Sequence, residues 1–287
     1  MKILTFDIED WFHILDFEET ESLDSWHKFE SRLNHNLDFI LNLLSRSGHN
    51  ATFFILGWVA EKHPEIVKLI LDSGNEIGSH SYSHLLLYNH NYEKIKKDLE
   101  KSIKLLQDIS GNKIKYFRAP GFSIKNDTNW VSDILLELGI ETDSSIFPTS
   151  RSHGGYKGFP YSTPCKLNIN GSIIKELPIN TFKILNKEIV FSGGGYYRLL
   201  PYAIQKQLYK RSEYLMTYFH PRDFDFEQPV LKNLSRIRKF KSYVGLKNSK
   251  NKFGKLLRDF EFVDIKTADE MIDWENVAEV KILVNSN

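Results

Sequence analysis

Cysteine is nearly absent: Cys165 stands alone in 287 residues, which excludes an internal disulfide framework and is compatible with a reducing compartment. Long apolar runs are missing too. No stretch approaches the ~18 residues that a membrane-spanning helix needs. The opening Met1-Lys2-Ile3-Leu4-Thr5-Phe6-Asp7 meets an acid too soon to serve as the apolar region of a signal peptide. A soluble protein is expected, either cytoplasmic or peripheral at the inner membrane face. An excess of one charge is also lacking, and a net charge of +1 offers no electrostatic footprint for nucleic acid. The local exception is the basic tract from Lys232 to Lys255, read as a solvated helix face, with a lipid or phosphate patch as the sharper alternative.

A phosphate loop is lacking as well. Ser192-Gly193-Gly194-Gly195-Tyr196-Tyr197-Arg198 has the glycines but not the Gly-Lys-Ser/Thr ending, so it is read as backbone that must pass close to another element.

What the chain does contain is alternation of strand and helix. Residues 2–6 read as a buried strand ending in Asp7-Ile8-Glu9-Asp10. Leu33, Leu37, Ile40, Leu41 and Leu44 recur at helical spacing before Gly48, which predicts a helix over 32–47. A strand follows at 51–56. Pro64 opens a helix that Gly74 closes, and a strand runs into Ile77. A helix is predicted from Tyr92 to Ile109. Another runs through Leu138, capped by Asp127 or Thr128 and ended by Gly139. Strands are expected from Ile140 toward Asp143, over 175–179, over 214–219 and over 261–265. Helices are expected near 233–240, over 251–259 and after Thr267, and residues 150–164 read as a long ordered loop on a substrate rim. Short links between strands and helices argue for one mainly parallel β/α domain.

The polar clusters fall at strand ends, where such barrels keep their chemistry. Three acids in four positions sit among Phe6, Ile8, Trp11 and Phe12, a setting in which acids need a partner, a metal or a catalytic task. His80 and His84 are spaced so that on a helical turn both rings could face one metal ion. A zinc protease would carry Glu directly after the first of them, and Ser81 stands there instead. Arg118 and His220 complete the set. Taken singly, each is as well explained by a surface turn, a plain ion pair or a satisfied core histidine; together they describe one site.

Those four clusters, in that order, resemble the motifs of the polysaccharide deacetylases of carbohydrate esterase family 4. Thr5-Phe6-Asp7-Ile8-Glu9-Asp10, His80-Ser81-Tyr82-Ser83-His84, Arg118-Ala119-Pro120-Gly121 and Tyr218-Phe219-His220-Pro221 carry the resemblance over about residues 1–225. Gly193 to Pro201 and His220 to Asp225 are similar to the branch found with bacterial exopolysaccharide and lipopolysaccharide clusters. The resemblance implies a deformed (β/α)7-type, NodB-like barrel spanning 1–287, with 226–287 as a C-terminal extension packed on it. It implies a zinc-dependent hydrolase, other divalent transition metals being alternatives, that removes an N-acetyl or related N-acyl group from an amino sugar. The partner would be an amino-sugar-containing glycan, or a nucleotide-linked or lipid-linked sugar, with a homo-oligomer left open and no nucleic acid. A ring-opening cyclic amidase and a non-catalytic glycan-binding barrel are the alternatives.

By resemblance, Asp7 is the base, Arg118 its ion-pair partner, His220 the acid and the Gly121 N–H an oxyanion donor. Pro120, Phe122, Asp143 and Tyr197 fall along the substrate cleft, with Asp143 either orienting His220 or shaping the rim. His80 and His84 are two metal ligands. The third departs from the common adjacent-aspartate pattern. Strand alternation points to Glu9, but a turn starting at Ile8 would return Asp10 to the metal, and Asp10 is preferred with Glu9 as its rival.

Overall fold

The computed structural model describes residues 1–282 apart from 16, 21, 152, 185, 186 and 232. Lys232, the first residue of the basic tract, thus lies outside the described residues. Eight strands form one sheet in the spatial order Glu279–Ile282, Cys165–Ile169, Ser172–Glu176, Thr142–Asp143, Tyr116–Phe117, Glu76–Ser79, Thr52–Ile55 and Thr5–Ile8. Neighbours are parallel except for the hairpin of Cys165–Ile169 with Ser172–Glu176. Every residue of Thr5–Ile8 and of Thr52–Ile55 is buried, as expected of parallel strands covered on both faces.

The sheet curls into a deformed barrel. Leu215–Met216 runs parallel to Lys2–Ile3, and Phe219 bridges to Phe6, which brings residues 215–219 beside the first strand. On the far side, Asn180 Oδ1 accepts from the Met216 amide at 3.1 Å, and Tyr214 Oη donates to the Pro178 carbonyl at 2.8 Å. Side chains therefore span the gap that a continuous ladder would close.

The helices follow their apolar periods. Leu33–Ser47 buries Leu33, Leu37, Ile40, Leu41 and Leu44 and ends at Gly48, whose φ of 69° is the left-handed conformation of a helix stop. Pro64–Asp72 and Tyr92–Ser110 also lie where predicted. Three expectations are corrected. The helix before Gly139 is Val131–Glu137 and has no side-chain cap, because Thr128 instead donates to the Lys125 carbonyl in a preceding 3-10 turn. Residues 261–265 contribute one bridge, Ile3 to Val263, before the helix Ile265–Met271 starts on its cap Asp264. The basic helix is Arg236–Tyr243. The glycine stretch does what its composition suggests: a Cβ on Gly193 would lie 2.1 Å from the Tyr218 carbonyl oxygen, so only a bare backbone approaches that closely.

Candidate metal and acid–base site

The strand Thr5–Ile8 stops because the chain turns. The Asp7 amide donates to Phe219 O at 2.8 Å, and the Glu9 amide then donates back to Asp7 O at 3.0 Å. This tight turn holds the Glu9 carboxylate over the end of the barrel. Its Oε1 lies 3.0 Å from His80 Nε2 and 2.9 Å from His84 Nε2. The preference for Asp10 is therefore corrected. The Asp10 carboxylate accepts the amides of Trp11 at 2.8 Å and Arg32 at 3.1 Å, so it braces the loop after the strand and does not join the cluster.

His80 and His84 are also brought together otherwise than by a helix. Residues 80–84 form a turn in which Ser81 (φ 65°) and His84 (φ 55°) are left-handed. The buried carboxylate of Asp98, from the helix Tyr92–Ser110, accepts the amides of Tyr82 at 2.8 Å and Ser83 at 3.1 Å and so pins that turn. The imidazole centroids end 5.4 Å apart. His80 Nδ1–H donates to the Arg118 carbonyl at 2.7 Å, which leaves its Nε2 lone pair facing Glu9. His84 Nε2 is buried at ion-pair distance from Glu9 without the alignment of a hydrogen bond.

Beside this cluster, Arg118 is fully buried and ion-paired to Asp7, with Nη1 2.8 Å from Oδ1. Nη1 also donates to Thr5 Oγ1, Nε to Ser144 O and Nη2 to Ser144 Oγ, while the guanidinium lies 4.3 Å over the Phe54 ring. The planar fork is used almost completely. On the opposite side, His220 Nε2 is 3.7 Å from Asp7 Oδ2 and 3.9 Å from Glu9 Oε1. Its Nδ1 is 3.2 Å from Asp223 Oδ2, and Asp223 in turn meets Arg198 Nε at 2.9 Å. Burial opposes the charge on His220, but Glu9, Asp223 and Asp7 outweigh it and raise its pKa to about 9. Burial likewise works against the Asp223 carboxylate, which Arg198 and His220 nevertheless hold down to about 2.

Residues 18–141, which include both clustered histidines and Arg118, match the family model described as polysaccharide deacetylase. That segment, a little under half of the chain, is similar to the polysaccharide deacetylases. Residues 144–270, which carry Arg198, His220 and Asp223, match a second model, a domain of unknown function. Over 107 residues the chain is 37% identical to a peptidoglycan-N-acetylglucosamine deacetylase of Bacillus cereus, covering 36% of this chain and 39% of that protein. Over 84 residues it is 40% identical to chitin deacetylase 2 of Saccharomyces cerevisiae, covering 29% of this chain and 27% of that one. The chain thus spans well under half the length of these relatives. A solved structure from Mycobacterium smegmatis, assigned to the polysaccharide deacetylases, superimposes with a TM-score of 0.63 at 17% identity, over 99% of this chain and 93% of that one. That likeness is one of fold.

Within this deacetylase fold, two residues expected along the cleft lie elsewhere. Tyr197 is in the core, its ring 4.9 Å from that of Phe219 and its Oη donating to Ser249 O at 2.7 Å. Asp143 is buried opposite Glu176 in the sheet and accepts from Ser145 Oγ, so Asp223 and not Asp143 holds His220. Pro120 and Phe122 are buried beside the site, and Gly121 between them is left-handed at φ 59°, where a Cβ would strike Leu15 at 2.8 Å.

Further side chains near the cluster are not marked by the motifs. Arg151 lies 4.5 Å over Phe147 and 5.0 Å over Phe122. His13 packs against Trp26 at 4.2 Å and Trp58 at 5.4 Å, with its ring centroid 6.4 Å from that of His84. Asp223 was detectable: Pro at the first position and an acid at the third of a short helix after His220 is a capping pattern.

Proposed function

We propose that the protein is a metal-dependent N-deacetylase that hydrolyses the N-acetyl or related N-acyl group of an amino sugar during surface-polysaccharide assembly. The observation that carries the reading is the convergence of Glu9, His80 and His84 beside two separate proton-handling pairs, Asp7 with Arg118 and His220 with Asp223. A binding barrel has no use for either pair.

The donor set fits a divalent metal. Two imidazole nitrogens and one carboxylate oxygen lie within 4.8 Å of one another, and the buried His84 Nε2 lacks an aligned partner. Three such ligands suit zinc with a position left open. When bound, the ion supplies Lewis acidity, which brings water ionisation toward neutral pH and polarises an amide carbonyl.

The chain's own residues supply the proton transfers. Asp7 accepts the proton of the attacking water, and Arg118 holds that carboxylate aimed. The Gly121 N–H donates to the carbonyl oxygen as it gains charge. His220, held charged, delivers a proton from Nε2 to the departing amine nitrogen, while Asp223 at Nδ1 maintains its orientation. The acceptor is an amino-sugar glycan or a nucleotide-linked or lipid-linked precursor. Acetate release from N-acetylglucosamine oligosaccharides by the zinc-loaded protein tests the reading. Turnover that His220→Ala and Asp7→Asn each abolish is expected, whereas glycan binding with no acetate release in the parent contradicts it.

A further inference from the structure

Among the described residues, eleven large apolar side chains are conspicuously exposed, and six of them, Tyr196, Leu199, Phe226, Val230, Ile237 and Phe240, sit on three segments tied to one another. Arg198 on the first segment donates to the carbonyls of Ser242 and Lys241 at the end of the helix Arg236–Tyr243. Tyr243 Oη in that helix donates to Pro229 O and accepts the Leu231 amide, which fastens the second segment. The helix buries none of its residues in the protein. Ile237 and Phe240, three apart, share one helical face at 71% and 57% exposure. A helix whose apolar face is turned outward has not been satisfied by its own fold.

The charge around it is equally lopsided. From Phe226 to Arg258 the chain has ten basic residues and one acid, Glu227, although the net charge of the whole is +1. Arg236, Lys239 and Lys241 are exposed on the helix itself. We infer that this face docks on an anionic bilayer surface, with Ile237 and Phe240 entering the headgroup layer and the basic side chains meeting lipid phosphates. Apolar side chains interleaved with Lys and Arg on one short surface helix are the chemistry of interfacial binding, and among the described residues no helix is long and apolar enough to cross the membrane. An acidic glycan or nucleic acid would match the charges but leave the outward apolar residues unexplained.

The face also borders the candidate site. Arg238 donates to the carbonyl of Leu15, in the loop that follows Glu9, and Arg198 holds Asp223 behind His220. A docked protein would therefore present its cleft close to the membrane plane. That presentation to a lipid-linked sugar rests on the deacetylase reading, while docking itself is measured without turnover.

The test is co-sedimentation of the full chain with vesicles of 70:30 phosphatidylcholine:phosphatidylglycerol and of phosphatidylcholine alone. Binding to the anionic vesicles is expected, at least tenfold weaker on neutral ones and in 0.5 M salt. Ile237→Ser with Phe240→Ser, and separately Lys239→Glu with Lys241→Glu, should each weaken it at least tenfold, with the parent melting temperature and the parent rate on a soluble oligosaccharide retained. Failure of the parent to bind anionic vesicles overturns the inference, as does undiminished binding by both variants. So does a dimer in size-exclusion chromatography that the serine variant dissolves without any vesicle binding, which would make a second copy the occupant. Because sedimentation reads no chemistry, a protein that binds vesicles but releases no acetate refutes only the deacetylase reading.

Discussion

Replacing Arg118 with Met removes the cation from a fully buried pair while roughly preserving its volume. The guanidinium contacts Asp7 Oδ1 at 2.8 Å, Thr5 Oγ1 at 2.7 Å, and both the carbonyl and the hydroxyl of Ser144 at 3.1 and 2.9 Å. With the Asp7 side chain only 3% exposed, water cannot take over. Removing one partner of such a pair costs about 3–5 kcal/mol, because a charge is left buried and unpaired. At about 2–4 °C per kcal/mol for a chain of this size class, the melting temperature should fall by roughly 6–20 °C. Adding Asp7→Asn to Arg118→Met removes the stranded charge, so the double variant should recover about 2 kcal/mol or more of that loss. Calorimetry or urea denaturation of the four proteins in the cycle gives the coupling. A double variant no more stable than Arg118→Met alone would refute the coupling between Asp7 and Arg118.

Three further outcomes are expected. Asp223→Asn removes one of the anions that keep His220 charged, so the alkaline limb of the rate profile should move from near 9 toward the ordinary histidine range; an unmoved limb would free His220 of Asp223. Burial, and then Asp143, raise the Glu176 carboxyl well above its usual range, and burial raises Asp143 to about 6, so the folded state holds a proton that the unfolded chain releases above about pH 4. Stability from this pair is present below that pH and is lost as pH rises through the folded values. Glu176→Gln should therefore flatten the decline and match or exceed the parent at pH 8 in thermal melts, and an equally steep decline in the variant would contradict it. His80→Ala and His84→Ala should each abolish stoichiometric zinc by atomic absorption with the circular dichroism spectrum retained, since both rings sit at the barrel rim.

How much of this was readable in the sequence depended on the kind of signal. Leu33 to Leu44 kept one apolar face and met a glycine that could adopt φ 69°, so that helix was predicted within a residue of each observed end. The hairpin of Cys165–Ile169 with Ser172–Glu176 was missed although its turn is Asn170-Gly171, both at positive φ as a two-residue hairpin turn requires. The strand Glu279–Ile282 alternates charged and apolar residues over only four positions, and its partner Cys165–Ile169 lies more than a hundred residues earlier, which no local pattern reveals. At the site, residue types were legible and their roles less so. Alternation along the first strand places Glu9 on the side of Asp7, an extra turn residue at Ile8 would place Asp10 there instead, and spacing alone does not choose between them. Asp143 and Tyr197 lie among functional residues in sequence yet satisfy their polar atoms inside the fold, a distinction that spacing does not encode.

In the proposed site Glu9, His80 and His84 hold the metal and Asp10 does not. Crystals grown with zinc and measured at the zinc absorption edge test it directly. An anomalous peak about 2.0–2.2 Å from Glu9 Oε1, His80 Nε2 and His84 Nε2 is expected. A peak coordinated by the Asp10 carboxylate, or no peak between the two histidines, would contradict it.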